Sequence, residues 1–256
     1  MKIFDTHAHY DDEAFDKDRD ELLCSLADHG IDCVVNVGAS IQSTKNTLEL
    51  IRQYPFVYGA AGVHPNETGE LNDTLIDWLK HVAREDRIVA IGEIGLDYHW
   101  DEPEPKVQKY WFARQLALAS EVKLPVIIHS RDAAKDTLDI MKAEHAGELG
   151  GVIHCFSYGK EMAREYLQMG FYLGIGGVVT FGNAKKLKEV VEYAPLEKLV
   201  LETDCPYLSP EPNRGKRNSS VNLPYVAEKI AQIKNIPADE VIRVTSRNAR
   251  KLYRFQ

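Results

Sequence analysis

The chain has 256 residues, 44% of them apolar and 27% charged, which is enough to bury the core of one large domain. Its formal net charge of −8 excludes a protein that grips nucleic acid through a broad basic surface, so any attraction for an anionic substrate has to be local. No apolar run approaches the roughly 18–20 residues of a membrane span, and residues 1–12 lack the basic start and apolar run of a signal peptide. Cys24, Cys33, Cys155 and Cys205 form no C-x-x-C pair, and the apolar neighbours of Cys33 and Cys155 suit buried reduced thiols. A cytoplasmic protein with no obligate protein partner is the expectation.

Strand and helix patterns alternate along the chain. A strand over 2–9 leads to a helix over 16–29, which carries Leu22, Leu23 and Leu26 on one stripe and ends at Gly30. Strands over 32–38, 57–65 and 88–98 are followed by helices over 43–53, 71–84 and 105–122. The next pairs are a strand over 125–131 with a helix over 132–144, 150–156 with 160–169, and 171–177 with 184–191. The last strand, over 198–206, opens into a Pro/Gly/Arg-rich loop over 209–220, and helices over 223–234 and 238–253 close the chain. Several strand runs are nearly continuous in Val, Ile and Leu, as parallel strands covered on both faces require. Eight βα units in about 250 residues predict one domain over 1–256, a closed (β/α)8 TIM barrel rather than an open doubly wound sheet.

Polar residues sit where the predicted strands end. The first ends in Asp5-Thr6-His7-Ala8-His9, and alternation puts Asp5, His7 and His9 on one face. His64, Glu93, His129, His154 and Asp204 stand at the ends of the third, fourth, fifth, sixth and eighth runs. In such a barrel these ends form the active-site mouth. A lone histidine after a strand is usually a hydrogen-bonded polar residue. Four histidines (His7, His9, His129 and His154) and two carboxylates (Glu93 and Asp204) converging on one mouth are costly to bury unless something pairs them, and divalent cations would. The His-x-His spacing lets two imidazoles reach one ion, and the two oxygens of Glu93 can bridge two. His29, His81, His99 and His145 fall in helices or loops and receive no role.

The motifs together resemble the TatD family of metal-dependent deoxyribonucleases, within the amidohydrolase-like barrels. The matching segments are Asp5-Thr6-His7-Ala8-His9, Gly62-Val63-His64-Pro65, Gly92-Glu93-Ile94-Gly95-Leu96-Asp97-Tyr98, His129-Ser130-Arg131-Asp132-Ala133, His154-Cys155-Phe156-Ser157 and Glu202-Thr203-Asp204-Cys205-Pro206-Tyr207. Arg214-Gly215-Lys216-Arg217-Asn218 and Asn248-Ala249-Arg250 also fit, so the resemblance covers the whole chain. It implies two divalent ions. His7, His9 and Asp204 would hold one, His129 and His154 the other, with Glu93 bridging where many barrel relatives use a carboxylated lysine. Asp204 would also accept a proton from the attacking water. Two divalent cations against two carboxylates leave the site net positive, which suits a phosphodiester and supplies the local field that the acidic chain lacks.

Around the ligands, Asp5 and Glu202 are placed one inward step below His7 and Asp204, as orienting carboxylates. His64, Asp97 and Arg131 are expected to face the substrate, and Arg214 and Arg217 on the last loop to hold phosphate oxygens. Two loop positions depart from the family pattern. Tyr158 follows His-Cys-Phe-Ser where Gly is common, and Ser219-Ser220 follow Arg-Asn where Glu-Pro is common. The reading is a DNA phosphodiesterase acting from a chain end, with Mg²⁺, Mn²⁺ or Zn²⁺ as the ion; Ni²⁺ and Fe²⁺ suit the same donors. The alternatives are a hydrolase of another ester, a lactone, an amide, a phosphotriester or an aminoacyl-tRNA bond on the same ligands, and a non-enzymatic metal-holding barrel.

Overall fold

Eight strands pair in chain order, all parallel: β1 (Ile3–Ala8), β2 (Ile31–Val37), β3 (Val57–Ala61), β4 (Ile88–Asp97), β5 (Val126–Arg131), β6 (Gly151–Ile153), β7 (Tyr172–Ile175) and β8 (Leu199–Leu201). The computed structural model describes residues 2–100 and 102–255; Met1, Asp101 and Gln256 lie outside it. Helices α1 (Arg19–Ser25), α2 (Ile41–Gln53), α3 (Asp73–Val82), α4 (Pro105–Val122), α5 (Ala134–Ala143), α6 (Lys160–Gln168) and α7 (Lys185–Tyr193) connect successive strands. Helices α8 (Leu223–Lys234) and α9 (Ala238–Leu252) follow the last strand. The sheet closes through the segment after β8. Ala8 forms a parallel bridge with Cys205, and the His9 and Asp204 N–H groups donate to Cys205 O and His7 O, each at 2.9 Å. This is the (β/α)8 barrel that the alternation predicts.

Two apolar layers explain the continuous apolar runs. Phe4, Val35, Ala60, Val89, Ile127, Val152 and Val200 cluster together with Leu252 and Tyr253 from the chain's end. Phe255 closes the base of this cluster against the rings of Phe4 and Tyr58, at 5.4 and 4.3 Å. The alternate strand residues, among them Val34, Ile128, Ile153 and Leu173, meet Leu23, Leu50, Leu79, Phe112 and Val190 of the helices. Strand alternation then sets the site: two residues beyond Ile127, Val152 and Val200 stand His129, His154 and Glu202.

Three strands stop furthest short of their predicted ends. β3, β6 and β8 finish at Ala61, Ile153 and Leu201. Beyond β6 and β8 the backbone leaves the extended region, with Cys155 at φ 44° and Asp204 at φ 56°. A non-glycine residue in this left-handed region costs on the order of 1–3 kcal/mol, so local bonds have to hold it. The first helix is also shorter than predicted. The Arg19 guanidinium donates to the carbonyls of Tyr10 and Asp12, at 2.6 and 3.0 Å, and so holds the preceding residues as a loop with a 3₁₀ turn.

Helix α4 does more than cover the barrel. Gln108 and Gln115 are seven residues apart, on the same buried face. Gln115 accepts from Val63 N–H at 2.8 Å and donates to Val63 O at 3.0 Å, fixing the backbone that leads into His64. Gln108 accepts from Asp97 N–H at 2.9 Å and donates to Asp97 O at 3.0 Å, fixing the end of β4. Replacing Gln115 by Leu leaves both Val63 groups buried and unpaired, each worth about 1–3 kcal/mol. Urea denaturation of Gln115→Leu should show a loss of about 3 kcal/mol.

Candidate metal centre

β1 and the turn after β8 build the first half of the centre. His7 Nε2 and His9 Nε2 lie 3.1 Å apart. Asp204 Oδ1 is 3.6 Å from the first and 3.5 Å from the second. Glu93 Oε2 is 3.4 and 3.8 Å from the same two nitrogens. His9 Nδ1–H donates to Val37 O at 2.9 Å. A carbonyl only accepts, so Nδ1 carries a proton, and Nε2 is the nitrogen that would bind a cation once its own proton is displaced.

Asp204 owes its position to a buried network. Asp5 accepts from Thr203 N–H at 3.0 Å, Thr203 Oγ1–H at 2.7 Å and Ser220 Oγ–H at 2.6 Å. Asn218 donates to Thr203 O at 3.0 Å. These bonds hold the left-handed turn that presents Asp204. Complete burial pushes the Asp5 carboxyl up to about 7, against the pull of its hydrogen bonds. Toward His7 it reaches only the backbone N–H, at 3.3 Å, so Asp5 orients the Asp204 turn rather than the His7 ring.

β4, β5 and β6 build the second half. Glu93 Oε1 is 2.7 Å from His129 Nδ1 and 2.8 Å from His154 Nε2, with His64 Nε2 at 3.9 Å. Glu93 therefore turns one oxygen to each pair of histidines. Each ring of the second pair has a carboxylate behind it. Asp97 Oδ2 accepts from His129 Nε2 at 3.0 Å, and Glu202 Oε1 lies 3.7 Å from His154 Nδ1 while accepting from Cys155 N–H at 2.5 Å. Glu202 fits because residue 174 is glycine; a Cβ there would stand 2.1 Å from Glu202 Oε2.

The electrostatics favour a cation. Burial disfavours charge on every member, yet Glu93, which it would push up, is held well below the usual carboxylate range by His154, His129 and His7. Asp204 is likewise lowered, despite burial, by His9, His154 and His7. Burial pulls His9 down, but Asp204 and Glu93 outweigh it and raise the ring to about 9. His129 and His154 are raised against the same opposition, His129 by Asp97 and Glu93 and His154 by Glu93 and Glu202. Burial keeps His7 and His64 neutral, His64 with a pKa near 3. Protons thus balance the carboxylates where divalent ions would do so. A tetrahedral ion bound at about 2.0–2.1 Å separates its donors by roughly 3.4 Å. The first half, at 3.1–3.8 Å, has that spacing. In the second, the 2.7 and 2.8 Å contacts are hydrogen bonds through the protons an ion would displace.

The centre floors a cleft of about 700 Å³ that His64, Asp97 and Arg131 also line. Asp97 differs from expectation. It is buried, and its carboxylate accepts from His129 and from the N–H groups of His99 and Trp100, at 2.9 and 3.3 Å for the last two. Its carboxylate thus holds the His129 ring from the wall of the cleft. Arg214 and Arg217 are not on the cleft. Arg217 donates through two nitrogens to Asp18 and lies over Phe15, while Arg214 lies over Phe181 beside Glu211. The departures from the family pattern have structural places. Tyr158 Oη bonds Ser130 at 2.9 Å, and Ser220 is buried beneath the site against Asp5 and Tyr10 instead of lying over it. Sequence reasoning assigned no role to Thr203, Asn218, Gln108 or Gln115, nor to Trp100 and Tyr207 at the cleft. Of these, the two glutamines at heptad spacing were the visible signal.

A parallel barrel with this donor set at its mouth is that of a metal-dependent hydrolase, and comparison with known proteins agrees. The family described as TatD related DNase matches residues 4–254. An uncharacterized metal-dependent hydrolase of Bacillus subtilis, YabD, is 44% identical over 99% of both chains. The 3'-5' ssDNA/RNA exonuclease TatD of Salmonella typhimurium is 31% identical over 98% of both. The crystal structure of the TatD homolog YjjV from Escherichia coli superposes with a TM-score of 0.93 at 30% identity, covering 99% of this chain and 98% of that one. The chain belongs to the TatD family of metal-dependent hydrolases.

Carboxylates behind metal-binding histidines typically set metal affinity within a factor of 10–100. Asp97→Asn should therefore weaken Mn²⁺ or Zn²⁺ binding by about 10- to 100-fold in chelator competition, with the circular dichroism spectrum unchanged.

Proposed function

We propose that the protein is a nuclease that hydrolyses phosphodiester bonds of single-stranded DNA from a chain end, using two divalent ions. The observation that carries the reading is the two-sided environment of Glu93, whose oxygens face separate histidine pairs. His7, His9 and Asp204 would hold one ion, His129 and His154 the other, and Glu93 both. Mg²⁺, Mn²⁺ and Zn²⁺ all accept mixed imidazole and carboxylate donors. When bound, the ions supply positive charge at the scissile phosphate and lower the pKa of water. The name of the Salmonella typhimurium relative supports nucleic acid as the substrate class. The free cysteines support a cytoplasmic place of action.

The chain's own groups divide the remaining work. Asp204 is the more open of the two central carboxylates, with 17% of its side chain exposed against 4% for Glu93. It takes the proton from the attacking water and later returns it to the leaving oxygen. Arg131, exposed at the end of β5 on the cleft, faces the substrate's phosphate. His64 is held with its Nδ1 accepting from Asn66 N–H at 3.2 Å, which directs Nε2 inward. Its neutral ring can donate to a phosphate oxygen without adding charge.

The test is cleavage of end-labelled single-stranded DNA by protein stripped with EDTA and reloaded with each ion. Cleavage should vanish with EDTA, return with metal, and fall by about 10²- to 10⁴-fold in Asp204→Asn, the range set by loss of a general base. Hydrolysis of carboxylic esters, lactones or aminoacyl-tRNA, with DNA left intact, would replace this reading by the other ester chemistry.

A further inference from the structure

Among the described residues, few large apolar side chains are exposed, and two of the most exposed stand on the cleft. Trp100 is 62% and Tyr207 55% exposed, and both line the cleft that holds His9, Glu93, His129 and Asp204. Neither ring belongs to the donor set or to the core. Single exposed aromatics are ordinary on a protein surface; two at one catalytic mouth, each tied to it, need a reason.

The ties are specific. Trp100 N–H donates to Asp97 Oδ1 at 3.3 Å, and the other oxygen of that carboxylate holds His129. Tyr207 N–H donates to Asp204 O at 2.9 Å, and Tyr207 Oη–H donates to Asp12 Oδ2 at 2.9 Å, which fixes the ring. The topology places the two on opposite sides. Trp100 follows β4 and Tyr207 follows β8, and in an eight-stranded barrel paired in chain order those strands face each other across the mouth. The metal centre lies between them.

Charge says what part of a strand the rings would meet. Arg131 is the cleft's one Lys or Arg among the described residues, whereas Asp11, Asp12 and Glu67 line it on the β1 and β3 side. A net charge of −8 adds no long-range pull on a polyanion. Beyond the centre and Arg131 the cleft therefore offers phosphates little, and the other handle on a strand is its bases. Aromatic rings stack any base, provided that its face is free.

We propose that Trp100 and Tyr207 are stacking platforms for the bases on either side of the scissile phosphate, so that the cleft selects unpaired nucleic acid through its bases. This rests on the nuclease reading. Phosphate enters at the centre and Arg131, the flanking bases lie on the two rings, and the acidic arc disfavours a further run of phosphates. A paired base, with both faces stacked in the duplex, offers the rings nothing.

The experiment uses fluorescein-labelled hexadeoxyadenylate and an abasic hexamer of the same backbone, both with Mn²⁺-loaded protein. Binding is measured by anisotropy in the Asp204→Asn background, and KM by cleavage with Asp204 intact. Stacking is worth about 1–3 kcal/mol per base, so Trp100→Ala and Tyr207→Ala should each weaken hexadeoxyadenylate binding by about 5- to 150-fold. Trp100→Phe and Tyr207→Phe should retain most of it, and the abasic hexamer should bind weakly and alike to all forms. Unchanged hexadeoxyadenylate affinity in the alanine variants, or an equal loss for the abasic strand, would overturn the platform. Failure of the nuclease reading looks different: protein with Asp204 intact would then cleave neither strand, whatever the binding shows.

Discussion

An ionised carboxylate is expensive to bury, and Glu93 is buried with 4% of its side chain exposed. Its charge survives because four imidazoles surround it, two on each oxygen: His7 and His129 from β1 and β5, and His9 and His154 from just beyond β1 and β6. Three of those rings have a partner behind them. Val37 O holds His9, Asp97 holds His129, and Glu202 stands behind His154. The next layer holds the holders. Gln108 clamps the backbone of Asp97, Asp5 and Asn218 clamp the turn that carries Asp204, and Gly174 leaves the space that Glu202 fills. The barrel below is apolar and closed by Leu252 and Tyr253, so the fully buried Asp5 and Glu202 find no water on that side.

Much of this was legible in the sequence, for physical reasons. Apolar runs alternating with amphipathic stripes specify strands covered on both faces, and eight of them leave few topologies other than the barrel. The donors were legible because alternation and strand-end position project His7, Glu93, His129, His154 and Asp204 to one place. What escaped were contacts that depend on the third dimension. Asp97 and Arg131 share a register position on β4 and β5, yet only Arg131 stays exposed, because His129 lies within reach of the Asp97 carboxylate. Arg217 reads as a phosphate-binding loop residue until Asp18, 199 residues earlier in the chain, captures it. Ser220 reads as surface loop and is buried under Asp5. The three short strands mark the same limit: β-propensity continues past Ile153 and Leu201, while the backbone turns out to present the ligands.

The two halves of the centre are not equivalent. The half built on β1 has the spacing of an ion's coordination shell, whereas the half built on β5 and β6 is drawn together by hydrogen bonds. Two bound ions would displace protons from both halves, from His9 in the first and from His129 and His154 in the second. The acidic surface and the proposed positive centre are complementary: an anionic substrate finds attraction only where the chemistry is done.

Anomalous diffraction from crystals loaded with Mn²⁺ tests the central claim most directly. The account predicts two peaks per chain, one beside each oxygen of Glu93 and about 3.5–4 Å apart, as in two-metal sites. A single peak, or an ion held by His7, His154 and Glu202 with Glu93 uninvolved, would contradict it.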